Sequence, residues 1–200
     1  MVAESQSDGS RLRLIVGLGN PGSKYDKTRH NVGFDCLEVL KRRLGNPMPT
    51  AKHEGELIRG RLAGRDILLL WPLTYMNASG RSVQQVVKFF KIEPSEVLVI
   101  CDDLALPLGK LRIRKAGSSG GQKGLEDILR CLNTTEVPRL RIGIDPCPER
   151  WETADYVLSR FREEERQILA VALERAADAV ADWVGRGIDF CMNEYNRGDA

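Results

Sequence analysis

No run of apolar residues in this 200-residue chain approaches the ~20 that a membrane helix needs, so no bilayer-spanning segment is expected. Its five cysteines, Cys36, Cys101, Cys131, Cys147 and Cys191, are odd in number and include no C-x-x-C pair. Neither a disulfide framework nor a zinc site is suggested, and a reducing cytoplasm is the expected compartment. The first ten residues, MVAESQSDGS, lack the basic start and apolar stretch of a signal peptide and read as a disordered tail ahead of one domain over 11–197. Histidine is scarce, with only His30 and His53, and the net charge of +2 indicates no partner by itself. There is no internal repeat, low-complexity tract or linker. What is present is 42% hydrophobic content, enough for one sizeable core.

The apolar pattern alternates between strand and helix. LRLIVGL (12–18) predicts a strand, followed through a polar loop by a helix over 31–44 with Gly33, Leu37, Leu40 and Leu44 on one face. ELIRGRLA (56–63) and DILLLWP (66–72) predict a hairpin joined through Gly64-Arg65, so part of the sheet is expected to be antiparallel. Val83, Val86, Val87 and Phe90 have helical spacing, and Pro94 follows. VLVICD, GKLRIRK (109–115) and RLRIGID (139–145) read as further strands. Between the last two lies a helix carrying Leu125, Ile128, Leu129 and Leu132; a long helix runs over 162–184, ending near Gly185. The expected fold is a single-domain α/β protein with a mixed, twisted sheet covered by helices on both faces.

Gly17, Gly19 and Gly22 have the spacing of a dinucleotide-binding loop. A helix should open at that loop, yet Pro21 and the polar string SKYDKTRHN follow, and the acids about 20 positions on, Asp35 and Glu38, lie inside the next helix. The loop instead presents Asn20 and His30 at the carboxyl edge of the sheet. Gly117–Lys123 resembles a phosphate-binding loop, but Gly124 follows the lysine and cannot ligate magnesium. Gly117 to Gly121 also matches G-x-S-x-G around Ser119, though neither histidine comes after it in the chain, as that hydrolase order requires. A His30, Asp102, Ser119 triad in another order remains open, because triads are defined by geometry. The plainer reading is an anion-binding loop at a helix start.

Between Asp103 and Glu126 there is no acid, while Lys110, Arg112, Arg114, Lys115 and Lys123 are basic. Arg112 and Arg114 alternate with apolar residues, as do Arg139 and Arg141, so each pair projects from one face of its strand. Single basic runs are commonly solvated faces; two beside a glycine loop point to the phosphates of an RNA backbone.

His30 belongs to no apolar face. An ordinary imidazole titrates at about 6.5 and can take a proton from water when a carboxylate holds its tautomer. Asp102, at the end of VLVIC, can supply that carboxylate, with Asp103 pointing to the opposite face. The two acids have no further ligands nearby for a metal. Asn77, in TYMNASG, is either a helix N-cap or a donor aimed at substrate, the cap being the commoner use.

VGLGNPG, KYDKTRHNVGFD, PLTYMNASG, the strand ending DDLALPLG, and RLRIGI occur in this order and together resemble the bacterial-type peptidyl-tRNA hydrolases over about residues 12–196. The resemblance implies a monomeric α/β esterase that cleaves the bond between a peptide and the 3′ ribose of tRNA, recycling tRNA from peptidyl-tRNA dropped by ribosomes. It implies no metal, no cofactor, no membrane and no stable protein partner. Residue by residue, His30 matches the catalytic base and Asp102 its orienting acid. Asn20 and Asn77 match asparagines near the scissile ester, Met76 lies beside the peptide, and Tyr25 matches a ring near the tRNA 3′ end. Arg114 and Arg141 fall where basic residues hold tRNA phosphate, and Arg112 shares the stripe of Arg114.

One segment departs from the pattern. Where many members have Gly-His-Asn-Gly, this chain has Gly121-Gln122-Lys123-Gly124. Gln122 can replace some of the hydrogen bonding to substrate, and Lys123 adds a charge suited to phosphate. The competing class is a non-catalytic RNA-binding protein, since relatives act in organelle intron splicing; the intact His30 and Asp102 argue against it. A serine acyl-enzyme is the third option. Direct attack by water predicts that Ser119→Ala hydrolyses an N-blocked aminoacyl-tRNA at the wild-type rate, measured by release of the blocked amino acid; loss of activity would favour the acyl-enzyme.

Overall fold

The computed structural model describes residues 12–197, so the tail expected at 1–10 lies outside the described residues. In chain order the elements are β1 (Arg13–Gly17), α1 (Val32–Arg43), β2 (Thr50–Lys52), β3 (Gly55–Leu62), β4 (Arg65–Pro72), α2 (Ser79–Phe90), β5 (Val97–Asp103), β6 (Leu111–Arg114), α3 (Lys123–Leu132), β7 (Arg139–Gly143), α4 (Thr153–Leu158), α5 (Glu163–Arg186) and α6 (Ile188–Tyr195). The strands form one mixed sheet in the order β2-β3-β4-β1-β5-β7-β6. β1, β4, β5 and β7 run parallel, while β2, β3 and β6 pair antiparallel with their neighbours.

The continuous apolar runs of β1 and β5 follow from this topology: both strands are central, buried along their whole length, and covered on both faces. Ile15, Ile100 and Ile142 face a core shared with α1 and α5; Val16, Val99 and Cys101 face one shared with α2 and α3. A glycine in the first turn of α1 serves this packing. A β-carbon on Gly33 would meet the Leu18 backbone nitrogen at 2.4 Å and Ile100 O at 2.5 Å, so α1 starts flush against the ends of β1 and β5. That contact explains a G-x-G loop whose helix begins late.

Sequence and structure differ in detail. The β3–β4 turn lies at Ala63-Gly64, both at positive φ, one residue before the expected position; such a pair has the twist a tight hairpin needs. The long helix passes through Gly185 and stops at Gly187 (φ 88°). His53 is half-buried in a left-handed turn with its ring 5.0 Å from Phe89. β2, α4 and α6 were not anticipated, because three to eight residues are too few to show a period.

One ion pair ties the loop after β1 to the C-terminal half. Arg29, only 4% exposed, donates from Nη2 to both Glu165 carboxylate oxygens at 3.0 and 2.8 Å, and its guanidinium stacks on Tyr156 and Phe161. Its backbone N–H donates to Ser159 O at 2.9 Å. Burial works to raise the Glu165 pKa, but the Arg162 backbone N–H and the Arg29 guanidinium outweigh it and hold it below the usual carboxylate value. A depressed pKa contributes stability above about pH 4.3 that is lost as pH falls through the folded value. Glu165→Gln should therefore cost about 3–5 kcal/mol at pH 7, leaving Arg29 buried without a counter-charge. Urea titrations should also show the variant losing less stability than wild type between pH 5 and pH 3.

Candidate active site

The parallel strands deliver their carboxyl ends to one edge, where an open α/β sheet places its site. There a cleft of about 890 Å³ is lined by Asn20 and His30 from the loop after β1, and by Tyr75, Met76 and Asn77 from the turn after β4. Asp102 and Asp103 end β5, while Gln122 and Lys123 open α3. Val157 and Leu158 of α4 add apolar lining.

His30 sits in a 3-10 turn, Arg29–Asn31, pinned on one side by the buried Arg29 and on the other by Asn31. Its Nδ1 lies 2.9 Å from Oδ2 of Asp102, which is 4% exposed. A carboxylate can only accept, so Nδ1 carries the proton and Nε2 is left with a lone pair. Cys101, one residue earlier on β5, faces the α2–α3 core; burial pushes its thiol strongly up, so no thiolate competes as nucleophile.

Asn20 is held from three directions. Its backbone N–H donates to Asn31 Oδ1 at 2.9 Å, its carbonyl accepts from Asn31 Nδ2 at 3.0 Å, and its own Oδ1 accepts the Met76 backbone N–H at 2.8 Å. Because a backbone N–H can only donate, the Asn20 amide cannot be flipped, and its NH2 group is the donor left for a ligand. Asn31 was missed by sequence reasoning; its place in the string RHN carried no signal. The N-cap use of Asn77 is not realised. Ala78 precedes α2 without a side-chain cap, and Asn77 stands exposed on the cleft wall. An N–H in the first turn of α2, that of Gly80, is instead taken by Oδ2 of Asp127 from α3 at 2.8 Å, which fixes the Met76–Asn77 turn against α3.

Gln122 is 8% exposed and its amide is engaged inside the protein, on Asp102 Oδ1 at 3.0 Å and on the Leu125 N–H at 2.7 Å. Lys123, by contrast, is exposed on the cleft rim. Tyr25 lies in the 3-10 turn Ser23–Tyr25, outside the cleft lining, with Lys24 Nζ 5.5 Å from its ring. Ser119 does not line the cleft either; its Oγ accepts from the Gly121 N–H. Among the described residues no three His, Cys, Asp or Glu side chains gather as a metal site.

The two basic stripes become one. β6 and β7 pair Arg112 with Arg141 and Arg114 with Arg139, so all four side chains share the sheet face that carries Cys101. β6 ends at the far edge of the sheet, and the chain must climb back beside β7 to begin α3 at the cleft. Arg139 receives it first, donating from Nη1 to Gly117 O at 2.9 Å and Ser118 O at 3.1 Å. Arg141 receives it next: Gly120 passes so close that a β-carbon would meet Nη2 at 2.5 Å, and Nε lies 3.1 Å from Asp103. Arg139 is thus consumed by the fold, Arg141 reaches the cleft, and Arg114 stands exposed beyond it.

A mixed α/β sheet whose carboxyl edge carries a His paired with a buried Asp defines the class; comparison with known proteins identifies the family. The family model for peptidyl-tRNA hydrolase matches residues 14–200. The peptidyl-tRNA hydrolase of Rhodopirellula baltica is 48% identical over 185 residues, covering 92% of this chain and 97% of that one. That of Chloroflexus aggregans is 48% identical over 184 residues, covering 92% and 98%. A crystal structure of the Acinetobacter baumannii peptidyl-tRNA hydrolase superposes with a TM-score of 0.85 at 36% identity, covering 95% and 97% of the two chains. The chain belongs to the peptidyl-tRNA hydrolase family.

The arginines should separate in a stability assay. Arg139→Met loses the buried Nε bond to Val137 O at 2.7 Å together with the Nη1 bonds that hold Gly117 and Ser118, and should cost about 2–3 kcal/mol, whereas Arg114→Met should stay within about 0.5 kcal/mol of wild type. Chemical denaturation of both variants checks this.

Proposed function

We propose that this chain hydrolyses the ester linking a peptide to the 3′ ribose of tRNA, by direct attack of a water that His30 activates. The observation that carries the reading is the His30–Asp102 pair, 2.9 Å apart, opening onto a cleft that also holds Asn20 and Asn77. Water gives its proton to Nε2 as its oxygen bonds to the ester carbon; Asp102 steadies the resulting imidazolium. The Asn20 NH2, whose direction is set by the Met76 N–H, donates to the developing oxyanion, with Asn77 as a second donor. The carbon–oxygen bond to the ribose then breaks, and the imidazolium returns its proton to the 3′ oxygen. The products are a peptide carboxylate and free tRNA.

Met76, Leu104, Ala105, Val157 and Leu158 supply an apolar wall suited to peptide side chains. Arg141 and Lys123 at the rim, with Arg112 and Arg114 on the same sheet face as Arg141, supply positive charge suited to tRNA phosphates, and the Tyr25 ring is assigned to the tRNA 3′ end. No step calls for a metal or cofactor. No described helix is long and apolar enough to cross a membrane. A substrate released from ribosomes supports a cytoplasmic location, and we take the protein as a monomer with a single domain over 11–197.

His30→Ala should bind tRNA with near wild-type affinity while losing at least about a thousandfold in kcat on N-blocked aminoacyl-tRNA. Asn20→Asp keeps the acceptor for the Met76 N–H but replaces the donor with an anionic oxygen, and should lose about 10²–10³ in kcat. Single-turnover hydrolysis alongside filter binding reads both. A wild-type protein that binds tRNA and cleaves nothing would replace this reading with a non-catalytic RNA-binding one.

A further inference from the structure

We infer that Gln122 is a positioning residue that locks the Asp102 carboxylate, so that one side chain sets both the start of α3 and the geometry of the His–Asp pair; this rests on the reading of His30 as the base. Asp102 has two oxygens to satisfy. Oδ2 meets His30, and Oδ1 accepts from Gln122 Nε2 at 3.0 Å. The terminal torsion of an aspartate is broad, so a carboxylate held through one oxygen swings readily, whereas one held through both does not. The direction of the Gln122 amide is itself determined. Its Oε1 caps α3 by accepting the Leu125 N–H at 2.7 Å, which forces the NH2 group toward Asp102, with its other side toward Met76 Sδ at 3.2 Å. Space for this arrangement comes from Gly124, where a β-carbon would lie 2.5 Å from Met76 Sδ and 3.2 Å from Gln122 Oε1. With the side chain buried and both amide atoms engaged, Gln122 acts on Asp102 rather than on a ligand in the cleft.

Gln122→Glu separates the two duties. An oxygen still caps the Leu125 N–H, so the start of α3 is kept, while a second carboxylate beside the buried Asp102 should lower the melting temperature moderately. The donor to Asp102 is lost and a like charge takes its place. The other charged groups around the pair, Asp103, Arg141, Lys123 and Glu152, are unchanged. The expected result is a fall of about ten- to a hundredfold in kcat with KM little altered, since misplacement rather than lost binding is responsible. The added negative charge favours the imidazolium, so the acid limb of the kcat/KM profile should move to higher pH. Gln122→His, which offers one ring nitrogen as acceptor and one as donor, should recover most of kcat and return the acid limb. A Gln122→Glu enzyme with wild-type kcat and pH profile, beside an inactive His30→Ala, would overturn the inference alone. Hydrolysis that survives His30→Ala would overturn the reading beneath it.

Discussion

The structure of the site depends on a carboxylate that is buried and bonded through both oxygens. Asp102 lies next to the end of the central strand β5, 4% exposed, with His30 on Oδ2 and Gln122 on Oδ1. A buried charge is tolerable only when its hydrogen-bonding capacity is met, and here meeting it brings together three separate parts of the chain. The loop after β1 must arrive with His30, which needs Gly33 to admit α1 and the Arg29–Glu165 pair to hold the turn. The head of α3 must arrive with Gln122, which needs Arg139 and Arg141 to guide the preceding loop along β7. The Met76 turn is then trapped between Asn20 and α3.

Much of this was legible as residue type and little of it as partnership. Central strands announce themselves through unbroken apolar runs such as VLVICDD, because burial on both faces removes the alternation of a half-exposed strand. The carboxyl-edge position of His30, Asn20 and Asp102 followed from that reading and from the parallel topology it implied. The roles of Arg29, Asn31, Asp127 and Glu165 did not, since each acts on a partner 11 to 136 positions away and a polar residue carries no period that marks it as buried. Asn77 shows the converse error: an asparagine just before a helix has the local pattern of a cap, but tertiary packing supplied Asp127 for that duty and left Asn77 to the cleft.

The basic residues illustrate why alternation along a strand does not by itself identify a binding surface. Four arginines share one sheet face, yet their environments range from Arg139, 3% exposed and bonded to main-chain carbonyls, to Arg114 in open solvent. What separates them is the path of the loop to α3, which covers the strand pair from one end. Gln122 and Lys123 divide in the same way across a single peptide bond, one turned into the protein and one held at the rim. The departure from the common Gly-His-Asn-Gly pattern therefore alters two different things, an internal support and a surface charge.

Nitrogen-15 chemical shifts of the His30 ring, recorded with the imidazole neutral and distinguished from those of His53 by comparison with His30→Ala, test the role of Asp102 most directly. Only two histidines contribute signals. A protonated Nδ1 with a pyridine-like Nε2 is the predicted result, because Asp102 leaves Nε2 free to accept a proton from water. A protonated Nε2 with a pyridine-like Nδ1 would contradict it, since that ring could neither donate to Asp102 nor act as a base toward the cleft.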